Sequence, residues 1–210
     1  MPSTYGDMQN RIADELHRTD LTTSSRLTNA IQSAIKHYER ERWWFTEATT
    51  SASLTTSAGQ ATYPLPSDFK RLDSLVLTIN GSKRGIDPMP YGQMDARDAG
   101  TSSVRGPSKW WAIYAEVLRL YPIPDGIYVQ TMSYQKHMAT LSASTDTNAW
   151  MDEMEPLIRT KAKEILARHV LRNKALADDF LTEIKIDLYP NARAENDERL
   201  MSGRLTSHGA

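Results

Sequence analysis

Three carboxylates close together in the sequence, Asp152, Glu153 and Glu155, come nearest to a catalytic set. A carboxylate pair can cleave a glycosidic bond when one member donates a proton and the other acts as base or nucleophile. The same residues flank Pro156 at the start of a helical pattern. Acidic side chains there favour the positive end of the helix dipole, and proline in the first turn costs little. That structural reading is the better one. The histidines, His17, His37, His137, His169 and His208, show no metal-ligand spacing such as HExxH. His169 falls on an apolar helical stripe, the setting of a core or edge histidine. The chain has no GxSxG, phosphate-loop or GxGxxG pattern. It has no cysteine, so disulfides and thiolate metal sites are excluded. The residues therefore point away from an enzyme and call for no metal and no cofactor.

Residue types that favour protein interfaces are better represented, since Trp and Arg are enriched at binding hot spots. Arg40, Arg42, Trp43 and Trp44 form one candidate, in which the tryptophans either meet a partner or close the junction between two parts of the fold. Lys109, Trp110 and Trp111 form a second. Adjacent residues of a strand face opposite sides, so one of these tryptophans is expected in the core and the other exposed or at a contact. Stacking on a nucleic acid would need a basic groove. The chain carries 25 Lys and Arg against 26 Asp and Glu, a net charge of −1, and offers no such excess. Arg193, Arg199 and Arg204 lie in a polar C-terminal stretch and form a third candidate, an arm that orders on a partner.

The elements that would position these residues read as follows. Thr4 to His17 predicts a short helix capped by Thr4, with Met8, Ile12 and Leu16 on one side. Leu21 to Phe45 reads as one long helix, capped by Thr22 or Thr23, whose apolar stripe includes Leu27, Ile31, Ala34 and Tyr38. Three adjacent aromatics at its end, Trp43 to Phe45, cannot all face one core if they are helical, because successive positions turn by about 100°. A helix from Glu155 to Val170 and another through Leu176 to Leu188 follow, the last ended or kinked by Pro190. Between them, Thr/Ser-rich segments, an Asn80-Gly81 hairpin, and Pro124-Asp125-Gly126 with its glycine left-handed mark strands. The expected fold is α+β and mainly helical: a four-helix bundle with an antiparallel β lobe inserted between its second and third helices, and an extended C-terminal arm. The expected boundaries are 1–45 and 149–190 for the bundle, 46–148 for the lobe and 191–210 for the arm. No apolar run is long enough to span a membrane, and Met1 to Tyr5 does not resemble a signal peptide, so a soluble protein assembled in the cytosol is expected.

The order of motifs adds a resemblance. The charged-aromatic exit ERERWWF, then YPLPSDF, GPSKWWAIY, LRLYPIPDGIYVQTMSY, a linker and two C-terminal helices follow one another between residues 4 and 190. This series resembles the head–tail adaptor (connector) proteins of tailed bacteriophages, the group that includes the tail accessory factor of short-tailed phages. The resemblance implies a structural virion protein at the head–tail junction. Copies, typically twelve, would form a ring beneath the portal protein, extend the DNA channel without sequence-specific binding, and offer a platform to tail or nozzle proteins. Two other readings stay open: a muramidase-like peptidoglycan hydrolase using Glu153 or Glu155, and a generic oligomeric scaffold.

Overall fold

The structure, a computed structural model, describes residues 3–21, 24–49, 54–99 and 104–201. In chain order its helices are α1 (Tyr5–Glu15), α2 (Ser25–Tyr38), α3 (Tyr91–Asp98), α4 (Ala149–Glu153), α5 (Glu155–His169), α6 (Lys174–Glu183) and α7 (Tyr189–Met201), with a π-helical stretch, Ile184–Leu188, joining the last two. The strands are β1 (Glu47–Thr49), β2 (Leu54–Thr55), β3 (Thr62–Pro64), β4 (Phe69–Ile79), β5 (Ser82–Pro88), β6 (Trp110–Tyr114), β7 (Val117–Tyr121) and β8 (Val129–Lys136). The fold is mixed α+β, with a curled β lobe inserted between helical segments. Two compact units result: residues 1–45 with 138–210, and residues 46–137.

The helical unit is built around α5. Leu157, Ile158, Ala162, Leu166 and Ala167 are buried on it, and so are Glu155, Thr160, Lys163 and Glu164. Helices α1, α2, α4 and α6 all pack on it. The buried charges are matched by neighbours. Lys163 Nζ lies 2.6 Å from Glu15 Oε2, Arg159 lies 3.1 Å from Glu15, and Arg11 lies 3.4 Å from Glu155, which ties α1 to α5. Glu164 accepts from Lys161 at 3.0 Å and from Arg168 at 2.6 Å, and Arg168 reaches Asp178 of α6 at 3.1 Å. Helix α1 starts as its sequence demands: the Thr4 side chain accepts from the Asp7 N–H, and Asp7 accepts from the Thr4 N–H. Residues 138–148 also belong to this unit, since Leu141 is buried in its core and Asn148 caps α4. Their loop is pinned by the Asp146 carboxylate, which accepts from the Ser142 and Ala143 N–H groups, and by main-chain bonds from Tyr5 and Gly6 to Asp146 and Ser144. A Cβ on Gly6 would lie 2.9 Å from the Cβ of Ser144, so only glycine fits this approach.

Four expectations for the helical unit need correction. The helix read over 21–45 starts after Ser24, whose hydroxyl oxygen accepts from the Arg26 N–H, and it ends at Tyr38. The proposed caps Thr22 and Thr23 lie outside the described residues. The chain turns after Tyr38, where the Glu41 N–H and the Trp43 indole N–H both bond the Tyr38 carbonyl, at 3.0 and 2.8 Å. Pro190 does not end the helical run. The preceding π-helical stretch, where the Tyr189 N–H bonds the Ile184 carbonyl, carries the chain into α7, and the proline falls in the first turn of that helix. Consequently residues 191–201 are not an extended arm but part of α7, with Ala192 and Asn196 buried. His169 is exposed rather than set in the core.

In the β unit the strand order is β1-β8-β4-β5-β6-β7-β3, with β2 also paired to β8. Asn80 and Gly81 take φ values of 48° and 81° and close the β4–β5 hairpin in the register Ile79↔Ser82, as their types require. One junction, β5 to β6, is parallel and spans only Asp87↔Trp110 and Pro88↔Trp111, so the lobe is not wholly antiparallel. Leu75, Leu77, Ile86, Leu118, Leu120, Met132 and Tyr134 form its main core. Helix α3 covers a second face of the sheet through buried Met94 and is clamped there by Arg119 of β7, which donates to Asp95 and Asp98. Gly126 is not left-handed. Pro124 to Gly126 form a bend held from outside, by the Gly59 N–H on the Pro124 carbonyl and the Thr56 hydroxyl on the Gly126 carbonyl.

The charge network on α5 gives the helical unit a defined acid sensitivity. Burial acts to raise the pKa of Glu164, but hydrogen bonds from Arg168 and Lys161 outweigh it and hold the carboxyl below its ordinary 4.5. A folded-state value below the unfolded one stabilises the fold above the unfolded pKa, and that contribution is lost as the pH falls through the folded value. Thermal unfolding followed by circular dichroism should show Glu164→Gln melting below wild type at neutral pH. The gap should narrow as the pH falls below the ordinary carboxyl value of 4.5.

Candidate functional site

The exit from α2 and the far end of the chain meet in one place. After the turn that follows Tyr38, Trp43 is fully buried, stacked on Phe45 at 6.1 Å and edge-on to Trp150 at 5.8 Å, while Phe45 meets Trp150 edge-on at 4.9 Å. Trp44 is half-buried against the same cluster. All three aromatics therefore serve one core. The angular objection fails because this segment is a turn running into a 3-10 stretch, Trp44–Thr46, and not part of an α-helix.

Helix α7 lies across this cluster. Tyr189, Arg193, Asn196 and Arg199 follow one another at steps of four, three and three, which places them on one helix face. The Asn196 amide donates to the Arg42 carbonyl at 3.3 Å, and its oxygen accepts from the Trp44 N–H at 2.9 Å. The Arg193 guanidinium stands 5.7 Å over the Trp43 ring and 3.4 Å from Glu41. The Arg199 guanidinium stands 4.2 Å over the Trp44 ring, bonded to Glu195 at 2.6 Å and 3.6 Å from Glu153. Tyr189 donates to Glu41 at 2.9 Å and stacks on Tyr38. Burial raises the pKa of both tyrosines, and the carboxylate of Glu41 raises them further. Burial, with Lys161 and Arg40 nearby, lowers that of His37, which is neutral at physiological pH.

The structure thus joins Arg42, Trp43, Trp44, Arg193 and Arg199. Arg40 and Arg42 have exposed side chains on the same turn. Arg204 lies outside the described residues. Lys109, Trp110 and Trp111 belong to the β unit. The two indoles face opposite sides of β6, but neither is exposed: Trp110 packs beneath α3 with Arg97 at 4.8 Å over its ring, and the Trp111 N–H donates to the Ile86 carbonyl. Only Lys109 is exposed there. An apolar-stripe search misses α7, because its inward face is Tyr, Arg, Asn and Arg. The i,i+4 pairs Arg193–Asp197 and Glu195–Arg199 were the available helix signal.

The three carboxylates do not converge. Glu155 pairs with Arg11 and Arg159, Glu153 with Arg199, and Asp152 accepts from Thr147. Among the described residues no group of three or more His, Cys, Asp or Glu could hold a metal ion, and no helix is long and apolar enough to cross a membrane.

The family model described as SU10 adaptor protein matches residues 3–202, and the chain belongs to that family. It is a phage head–tail adaptor protein, structural rather than enzymatic. Membership implies a place at the head–tail junction of the virion and contact with portal and tail components. No curated protein matches the chain.

The anchoring of α7 can be measured directly. Asn196→Ala leaves a main-chain donor and acceptor unsatisfied beside a buried cluster, which costs about 1–3 kcal/mol. Arg199→Ala removes an exposed cation–π contact worth about 0.5–1 kcal/mol. Urea unfolding should rank the two variants in that order.

Proposed function

We propose that the protein forms a ring, dodecameric as in its family's usual arrangement, beneath the portal of a filled head. The ring extends the DNA channel and presents a platform to tail or nozzle proteins. The observation that carries this reading is the family match across residues 3–202. The chemistry agrees with it. Glu153 and Glu155 are engaged in ion pairs and Asp152 accepts from the Thr147 hydroxyl, and the family is non-catalytic, so the muramidase reading is set aside.

On this reading the work of the protein is assembly. Arg40, Arg42 and Lys109 offer exposed cations for neighbours, and the outer face of α7, with Glu195, Asp197 and Glu198, offers acids. Trp43 and Trp44 act from beneath, by fixing the turn that presents Arg40 and Arg42. Genomic DNA passes without sequence-specific binding. A net charge of −1 suits a conduit, because strong phosphate pairing would retard the moving duplex.

The test is the mass of the purified protein by light scattering after size exclusion, alone and with its matched portal. A mass of 23.7 kDa alone that rises to a ring-sized complex with portal is the expected result. A chain that stays monomeric beside a competent portal would overturn the proposal.

A further inference from the structure

A cavity of about 160 Å³ opens beside α2 in the helical unit, with Ile31, Ile35, Met138 and Leu141 among its walls and Lys36 and Glu39 among its polar lining. A cavity of order 150 Å³ with aliphatic walls holds a guest the size of benzene. One branched aliphatic side chain is of that class.

The same unit carries a matching projection. Ile186 is 75% exposed, the one large apolar side chain so exposed among the described residues of this unit. It sits on the π-helical stretch, flanked by Lys185 and Asp187. Its place is not beside the cavity. Lys185 lines a separate hollow with His37, and His37 stands on the flank of α2 opposite Gln32 and Glu39 of the cavity wall. A projection on one flank and a recess on another cannot meet within one chain packed this way, but they can meet between two copies.

We infer that Ile186 of one copy seats in the α2 cavity of a second copy, with Lys185 facing Glu39 and Asp187 facing Lys36. The charges are complementary on both sides of the apolar contact, which fixes orientation as well as affinity. Glu39 already accepts from the Met138 N–H at 3.4 Å, and Asp187 from the Asn191 amide at 2.6 Å. A carboxylate has lone pairs left for a second donor. The contact joins two different patches, so it is heterologous: it repeats head to tail and closes into a ring when its rotation divides a full turn. This rests on the ring reading above and supplies its lateral contact.

The chain contains no cysteine, which makes the test clean. Ile186→Cys and Gln32→Cys, the latter in the cavity wall, are introduced together, and the protein is oxidised in the presence of its portal. A disulfide needs Cα atoms within about 7 Å. A ladder of linked chains that stops at the ring size is expected. The control Ile186→Cys with Ser33→Cys, exposed and outside the cavity wall, should give none. Ile186→Asp should leave the melting temperature of the monomer unchanged and raise the concentration needed for assembly by at least about tenfold, or 1.4 kcal/mol. A ring of full mass without cross-links, or one that Ile186→Asp does not weaken, overturns the contact and leaves the ring reading standing. Failure of the wild-type chain to form any ring with portal overturns the ring reading and the contact with it.

Discussion

The helical unit depends on the burial of α5 on several sides at once. A helix in that position has no solvated face on which to put its polar residues. Glu155, Thr160, Lys163 and Glu164 are nonetheless buried on it. Breaking one partner of a buried ion pair costs roughly 3–5 kcal/mol, because the other charge stays behind. The surrounding helices are therefore constrained twice, once by shape and once by charge. Helix α1 must bring Glu15 to Lys163 and Arg159. Apolar packing alone would tolerate some sliding of these helices along α5, whereas the ion pairs select one register.

The insertion of the β unit follows the same logic of closure. The chain leaves the helical unit after Phe45 and returns at Met138. Within the helical unit the aromatic cluster of Trp43, Phe45 and Trp150 holds the segment before the departure. The Asp146 loop holds the segment after the return, and by bonding Tyr5 and Gly6 it also fixes the start of α1. Within the β unit the strands are joined by tight local turns, Asn80-Gly81 and Ala115-Glu116, all four residues at positive φ. That unit needs little from elsewhere in the chain to define its hairpins.

What was legible in the sequence divides along the same line. Features decided by neighbours in sequence were readable: the Thr4 cap, the Pro156 start and the Asn80-Gly81 hairpin. Features decided by distant partners were not. The helix through residues 39–45 looked continuous because its composition allows it, and the tertiary core instead draws Trp43 inward. Trp110 and Trp111 were correctly placed on opposite faces, but the cover that α3 gives to the second face depends on Arg119, far along the chain. For the candidate site, Trp43, Trp44, Arg193 and Arg199 were all identifiable by type. That they meet was not, since Trp44 and Asn196 are 152 residues apart. The apolar stripe made α5 itself legible, but its central place was not, because the burial of Glu155, Lys163 and Glu164 depends on partners elsewhere in the chain.

The docking of α7 shows which of its many contacts decide its position. Its exposed ion pairs, Arg193–Glu41, Arg193–Asp197 and Arg199–Glu195, are each of a kind worth about 0–1 kcal/mol. Its apolar content is small, Ala192 buried and Tyr189 packed part-buried against the core. Asn196 differs in kind. Two of its partners are main-chain groups of the segment Arg42 to Trp44, the Arg42 carbonyl and the Trp44 N–H, which lie outside any α-helix or strand. Main-chain groups buried without partners are rare in folded proteins because each carries a full desolvation cost. The turn therefore needs α7 as much as α7 needs the turn. The cations at Arg40 and Arg42 are presented to solvent only because a helix about 150 residues later in the chain completes the hydrogen bonding beneath them. An interface made of these groups is then a property of the finished fold and not of the exit segment alone.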